Sequence, residues 1–190
     1  MSRIETRRLE LIMASEGALR AELNGSGALA AALGCDVPLT WPPDLYDADA
    51  VNYSLNWLLS NPAKAAWSFY YIVRRGAASN RPLLVGAGGF KGPADEDGVV
   101  EVGYSIVGDH QRLGYATEAV EGWLRCAFTS PQVKMVVGQT LPSLIASIGV
   151  LEKLGFRFAG SGSDPHAPEG EEVIRYEMTR AEFDRRAHYM

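Results

Sequence analysis

The chain has 190 residues, a formal net charge of −5, 47% hydrophobic residues and 22% charged ones. That length can bury a full core in one domain, and the balance is that of a globular protein in water. The acidic surplus argues against a general binder of nucleic acid or of an anionic membrane surface, and no stretch approaches the ~18 consecutive apolar residues of a membrane-spanning helix. The opening "MSRIETRRLELIM" lacks the apolar core of a secretory leader. Cys35 and Cys126 lie far apart and outside any CxxC pattern, so a reduced, cytoplasmic setting is the expectation. His110, His166 and His188 have no i, i+4 partner, so no metal site is expected.

"RRLELIMAS" (7–15) alternates like a strand, and Ser15 is placed to cap a helix through "EGALRAEL". "GALAAALG" (27–34) predicts a short second helix. The proline-rich, aromatic connection "DVPLTWPPDLYD" (36–47) leads to a third helix over 48–60, which Asn61-Pro62 ends because the residue before proline disfavours helical dihedrals. The period then changes. "AWSFYYIVR" (66–74), "PLLVGAGGF" (82–90) and "GVVEVGYSIV" (98–107) are rich in β-branched and aromatic residues and are separated by turn compositions, which describes an antiparallel meander. From Tyr115 to Phe128 the apolar positions Ala116, Ala119, Val120, Trp123, Leu124 and Ala127 follow a helical period. A strand over 132–140 follows. Pro142-Ser143 then opens a helix that Gly155 closes. "FRFAG" and "EVIRYEMT" (172–179) read as late strands around a Gly/Pro-rich loop, and "AEFDRRAHY" as a final helix. Strand 98–107, helix 115–128 and strand 132–140 make one right-handed parallel βαβ unit. The fold class is a mixed α/β sheet in a single domain, 1–190.

"HQRLGYAT" (110–117) sits where a strand hands over to a helix. Unpaired amides and the positive end of the helix dipole make such a turn suitable for phosphate oxygens. Gly114 permits a backbone conformation barred to other residues, and Ala116 keeps the wall low. An ordinary strand-to-helix turn is an equally good reading of the turn chemistry by itself. "GAGGF" (86–90) contains part of a dinucleotide fingerprint, but the fingerprint needs a helix after the glycines, and "KGPADEDG" is a turn into another strand. Gly86, Gly88 and Gly89 therefore read as close-packing or bulge positions.

"VVEVGYSIVGDHQRLGYATEAVEGWL" resembles the acetyl-CoA-binding segment of the GNAT superfamily of N-acetyltransferases, with Gln111, Gly114 and Ala116 matching its [Q/R]-x-x-G-x-[G/A] signature. "TLPSLIASIGVLEKLGFRFAG" looks like the strand and helix that follow in that family. "TRRLELIMAS" and "VIRYEMTRAEFD" resemble the branch of ribosomal-protein N-terminal acetyltransferases. The likeness is close over 82–160 and weakest over 16–66.

The resemblance implies an antiparallel meander joined to a splayed βαβ unit, with acetyl-CoA as co-substrate and an amine as acceptor. It places the backbone of Ile106 and Val107 on the pantetheine arm. The amides of Arg112, Leu113, Gly114, Tyr115, Ala116 and Thr117 fall on the pyrophosphate, and a strand amide near Tyr104 to Ile106 on the developing oxyanion. Thr117 could equally cap its helix. Glu101 resembles the usual general base, Glu118 is a rival that the helix dipole alone would explain, and Glu171 and Glu172 stand in reserve. Ser147 matches a serine that donates to the leaving thiolate, unless it only bonds back to the preceding turn. Leu151 stands where some relatives carry a tyrosine, and Leu144 where an asparagine commonly touches the cofactor, leaving Ser143 to substitute or to cap. Cys126 reads as packing, which favours direct attack in a ternary complex. The acceptor is expected against 36–47, the helix bearing Asn52, Tyr53, Asn56 and Trp57, and the loop 160–172. A homodimer through sheet edges or the late loop is compatible with the sequence. Two other classes remain open: a non-catalytic CoA-binding or interaction domain on the same fold, and a nucleotide-dependent oxidoreductase using "GAGGF".

Overall fold

A computed structural model describes residues 3–76, 80–162 and 172–187. Among these residues eight strands form one sheet in the order β1-β2-β3-β4-β5-β6-β8-β7. They are β1 (Arg3–Glu5), β2 (Leu9–Met13), β3 (Phe69–Arg74), β4 (Leu83–Phe90), β5 (Val99–Ile106), β6 (Met135–Thr140), β7 (Arg157–Gly162) and β8 (Val173–Thr179). Among the described strands only β5 and β6 pair in parallel, and every other neighbouring pair is antiparallel. The expected mixed sheet and its meander are therefore present. β1 is an addition that the sequence reading did not foresee, because three residues are too few to show a period.

The helices are α1 (Glu16–Leu23), α2 (Ser26–Leu33), α3 (Ala48–Ser60), α4 (Tyr115–Ala127), α5 (Ile145–Lys153) and α6 (Arg180–Ala187), with 3-10 turns over Pro62–Trp67 and Gly108–His110. Ser15 caps α1 as expected, accepting from the Ala18 amide at 3.1 Å. Residues 66–67, expected at the start of a strand, belong to the 3-10 turn that follows Pro62.

Strand alternation sends successive side chains to opposite faces. On one face Val100, Val102, Tyr104 and Ile106 of β5 join Trp123, Leu124 and Val120 of α4, Leu151 of α5 and Leu154 at its C-terminal cap in the larger core cluster. On the other face Tyr71, Val73, Leu84 and Ala87 pack against Leu19 of α1, Leu29 of α2 and Val51 and Leu55 of α3. The glycines of "GAGGF" serve this packing. A Cβ on Gly88 would stand 2.5 Å from the Gly103 carbonyl oxygen and 2.7 Å from the Trp123 ring. No helix follows Gly89, so the dinucleotide reading lacks its structural context.

Candidate functional site

β5 and β6 pair only from Val99↔Met135 to Val102↔Gly138. Beyond that point β5 continues with β4 as far as Ile106, while β6 continues with β8 as far as Thr140. The two parallel strands therefore part company at their C-terminal ends. Gly138 stands at the fork, where a Cβ would lie 2.8 Å from a methyl of the buried Leu151.

Register decides which backbone groups face the opening. The Val107 amide donates to the Val85 carbonyl at 3.0 Å, and the Lys91 amide to the Glu101 carbonyl at 2.9 Å. Odd-numbered residues of this stretch thus point at β4, and Tyr104 and Ile106 point toward the parted β6. This corrects the expectation for Val107. Its N–H is spent on β4, its carbonyl accepts from the His110 amide at 2.8 Å, and the side chain is fully buried. The Ile106 carbonyl faces the opening and receives the Gln111 side-chain amide at 3.0 Å.

Beside this opening the chain enters α4. Gly114 is the N-cap in the left-handed region (φ 80°), and Arg112 also has a positive φ of 59°. The first intrahelical bond runs from the Glu118 amide to the Gly114 carbonyl at 3.1 Å, so the amides of Tyr115, Ala116 and Thr117 precede it. No side chain caps this end, so Thr117 is not the cap. Ser143 is not one either: Leu144 is the N-cap of α5, and that helix too has no side-chain cap bond. Ser143 and Leu144 are both exposed.

The four carboxylates considered as bases differ sharply. Glu101 lies on the α1–α3 face. Its Oε1 forms an ion pair with Lys91 at 2.5 Å that lacks hydrogen-bond alignment, so this buried oxygen has no aligned donor among the described residues. Its Oε2 accepts from Gln139 of β6 at 3.0 Å. Glu118 is committed elsewhere: it accepts from the Thr6 hydroxyl at 2.7 Å and from the Arg8 amide and Nε at 2.6 Å each. Burial would raise its pKa, but those hydrogen bonds and the Arg8 charge outweigh burial and hold it below the ordinary carboxylate value. Glu172 accepts from Ser161 at 2.9 Å on the exposed sheet edge, and Glu171 lies outside the described residues.

The depressed Glu118 sets a pH dependence. A carboxyl whose pKa is lower folded than unfolded adds stability above its unfolded pKa, and that stability is lost as pH falls through the folded value. Wild type should therefore lose about 1 kcal/mol more than Glu118→Gln between pH 7 and pH 3, a charged hydrogen bond discounted for the half-exposed Arg8. Urea unfolding of both proteins at the two pH values checks this.

Ser147 does not bond back to the preceding turn. Its Oγ lies 3.2 Å from the Tyr104 hydroxyl, which also donates to the Ser147 carbonyl at 3.1 Å. Tyr104 was not among the expected side chains, although alternation along "GYSI" already puts it on the α4 face. Burial pushes its pKa up to about 12, with the Ser147 contact opposing, so the phenol stays protonated at neutral pH. The thiols of Cys35 and Cys126 are both raised by burial, the first to about 11, so neither is a thiolate nucleophile at neutral pH.

The connection 36–47 borders the same opening. The Ser105 hydroxyl of β5 donates to the Asp44 carbonyl at 2.8 Å. Farther back, Glu22 of α1 accepts from Trp41 at 2.8 Å, Tyr46 at 2.8 Å and Tyr71 at 2.7 Å. Burial raises the Glu22 pKa against the opposing effect of these three donors. Trp41 and Tyr46 thus pack with the α1–α3 core, while Leu39 and Leu45 of the same connection are exposed. The Trp41-Pro42 peptide is cis.

A family model described as "Acetyltransferase (GNAT) domain" matches residues 26–157. An uncharacterized N-acetyltransferase of Bacillus subtilis, YjdG, is 29% identical over 125 residues, covering 65% of this chain and 71% of its own. Among solved structures, the ribosomal L7/L12 α-N-protein acetyltransferase RimL in complex with coenzyme A aligns with a TM-score of 0.67 at 16% identity, over 95% of this chain and 99% of that one. RimJ of Mycobacterium smegmatis in complex with CoA-disulfide aligns with a TM-score of 0.66 at 18% identity, over 95% and 88% of the two chains. At those identities the structural matches establish the fold. Among the described residues no cluster of three His, Cys, Asp or Glu side chains is arranged to hold a metal, and no helix is long and apolar enough to cross a membrane.

Proposed function

Because the chain belongs to the GNAT acetyltransferase family, we propose that its acetyl transfer runs from acetyl-CoA to a primary amine by direct attack in a ternary complex. The observation that carries this reading is the parting of β5 and β6 beyond Val102 and Gly138, with the uncapped amides of α4 beside it. An extended pantetheine arm fits between parted strands because Tyr104 and Ile106 turn their backbone groups into that gap. The pyrophosphate then falls on the turn Gln111–Thr117, where the left-handed Gly114 and the low wall of Ala116 let anionic oxygens approach the amides.

The two faces of the sheet divide the chemistry. Glu101 lies on the α1–α3 face, from which the amine would come, and takes the ammonium proton directly or through a water. The freed lone pair attacks the thioester carbon, and the N–C bond forms while charge collects on the carbonyl oxygen. The Tyr104 or Ile106 amide donates to that oxygen. The C–S bond then breaks as the nitrogen's surplus proton passes through water to the departing sulfur, and Ser147 on the opposite face, held by Tyr104, donates a hydrogen bond to that thiolate.

A protein N-terminus or a small-molecule amine both suit this arrangement. RimL, an α-N-protein acetyltransferase whose fold the chain shares, supports the first. Leu144 and the buried Leu151 keep a non-catalytic CoA-binding role as the alternative.

Thermal melting with CoA, acetyl-CoA and NADPH at ~100 times a micromolar Kd tests the cofactor. CoA compounds should add ~2.7 kcal/mol, a rise of roughly 5–10 °C for a chain this long, and NADPH nothing. No shift with CoA would overturn the reading.

A further inference from the structure

We propose that Arg8, in the turn between β1 and β2, is the positioning residue that aims the α4 entry loop at the coenzyme's diphosphate. The inference rests on the reading that this loop takes CoA. Arg8 touches the loop at both ends. Its backbone amide and Nε hold the two oxygens of Glu118, while Nη1 donates to the Leu113 carbonyl at 3.0 Å. Its guanidinium carbon lies 4.7 Å from the centre of the Tyr115 ring, and a Cβ on Gly114 would come within 3.3 Å of Nη2. Thr6 completes the brace by donating to Glu118 at 2.7 Å.

Two physical consequences follow. A trans peptide points its C=O and the next N–H in opposite directions, so the bond to the Leu113 carbonyl also fixes the Gly114 amide, aiming it away from Arg8. Gly114 itself offers little resistance to reorientation, since glycine populates many backbone conformations. The second consequence is electrostatic. Glu118 lies one turn into α4, where an unpaired carboxylate would oppose the negative charge of a diphosphate held at that helix end. Arg8 cancels this charge without giving up its bond to the loop. A contact spanning more than a hundred residues thus makes the N-terminal hairpin part of the coenzyme site.

Calorimetric titration of the full chain with CoA and with 3′-dephospho-CoA tests this, using wild type, Arg8→Gln, Arg8→Lys, Glu118→Gln and the Arg8→Gln/Glu118→Gln double variant. Each is assayed where circular dichroism shows it folded, so that lost stability alone cannot lower affinity. Arg8→Gln should weaken both ligands at least ten-fold and by equal factors, because both carry the diphosphate. The double variant should bind no more weakly than Arg8→Gln, because the two residues act through one brace. Affinity within two-fold of wild type for folded Arg8→Gln, or single losses that multiply in the double variant, would overturn the proposal. So would a loss seen with CoA and absent with the dephospho ligand, which would make Arg8 a reader of the 3′-phosphate. If Arg8→Gln does not fold, Arg8→Lys decides: it keeps the charge and loses the fork, and unchanged affinity would count against the proposal. Wild type that binds neither ligand would remove the functional reading together with this inference, whereas failure in the variants alone leaves the functional reading intact.

Discussion

Glu101→Gln should lower kcat by about 10²–10⁴-fold at pH 7 while leaving CoA affinity within two-fold of wild type, because the change removes a proton acceptor and touches none of the loop amides. Gln is nearly isosteric and keeps an oxygen for Gln139, so the fold around β5 should persist. The pH dependence distinguishes a base from a strut. An α-amine with a pKa of ~8 is mostly protonated at pH 7 and mostly neutral at pH 9. The variant should therefore recover most of its deficit at pH 9 with a peptide acceptor, and recover far less with a lysine side chain, whose pKa is ~10.4. A deficit that stays constant across pH would assign Glu101 to positioning Gln139 and Lys91 instead. Activity within three-fold of wild type at every pH would exclude it as the base. Measuring initial rates on a seven-residue peptide with a free N-terminus, from pH 6.5 to pH 9.5, covers these outcomes.

The second large effect is on stability. Gly88→Ala should cost about 3 kcal/mol or more, near the upper end for inserting one methyl into a packed interior. The added carbon would lie 2.5 Å from the Gly103 carbonyl oxygen and 2.9 Å from the Tyr104 Cα, both backbone of the neighbouring strand, as well as 2.7 Å from the Trp123 ring. Backbone cannot swing aside as a side chain can, so β4 and β5 must separate where β5 carries Tyr104. A melting temperature lower by roughly 6–12 °C is expected for a chain of this size. Gly149→Ala is the control of opposite sign. It lies within α5 with nothing within 4 Å of an added Cβ, so alanine should raise stability by about 0.5–1 kcal/mol through helix propensity. A Gly88→Ala protein that melts with wild type would mean that β4 and β5 can spread without cost, against the close pairing of Gly88 with Tyr104.

The sheet, the strand-to-helix turn at Gly114 and the glycine packing of β4 were legible in the sequence because each is written in nearest neighbours. Alternation along "VVEVGYSI" and the helical stripe of α4 repeat within a few residues, and glycine and proline mark where each period stops. The same reading placed Glu101 on β5 and Ser147 on α5. It went wrong on Val107, because which way a strand's amide points depends on the register with β4 and not on residue type. It left capping open as the alternative for Thr117 and Ser143, which only the structure excludes, because a cap is set by where the first helical bond closes.

Tyr104 was missed as a side chain because its partner, Ser147, comes from 43 residues away. Arg8 was missed because Glu118 and Leu113 lie more than a hundred residues along the chain. Composition, period and local turn chemistry by themselves determine the fold class and mark the strand-to-helix turn at Gly114. The tertiary structure alone decides which carboxylate is spent on an arginine and which keeps an oxygen without an aligned donor, since hydrogen-bond partners far apart in sequence leave no local periodic trace.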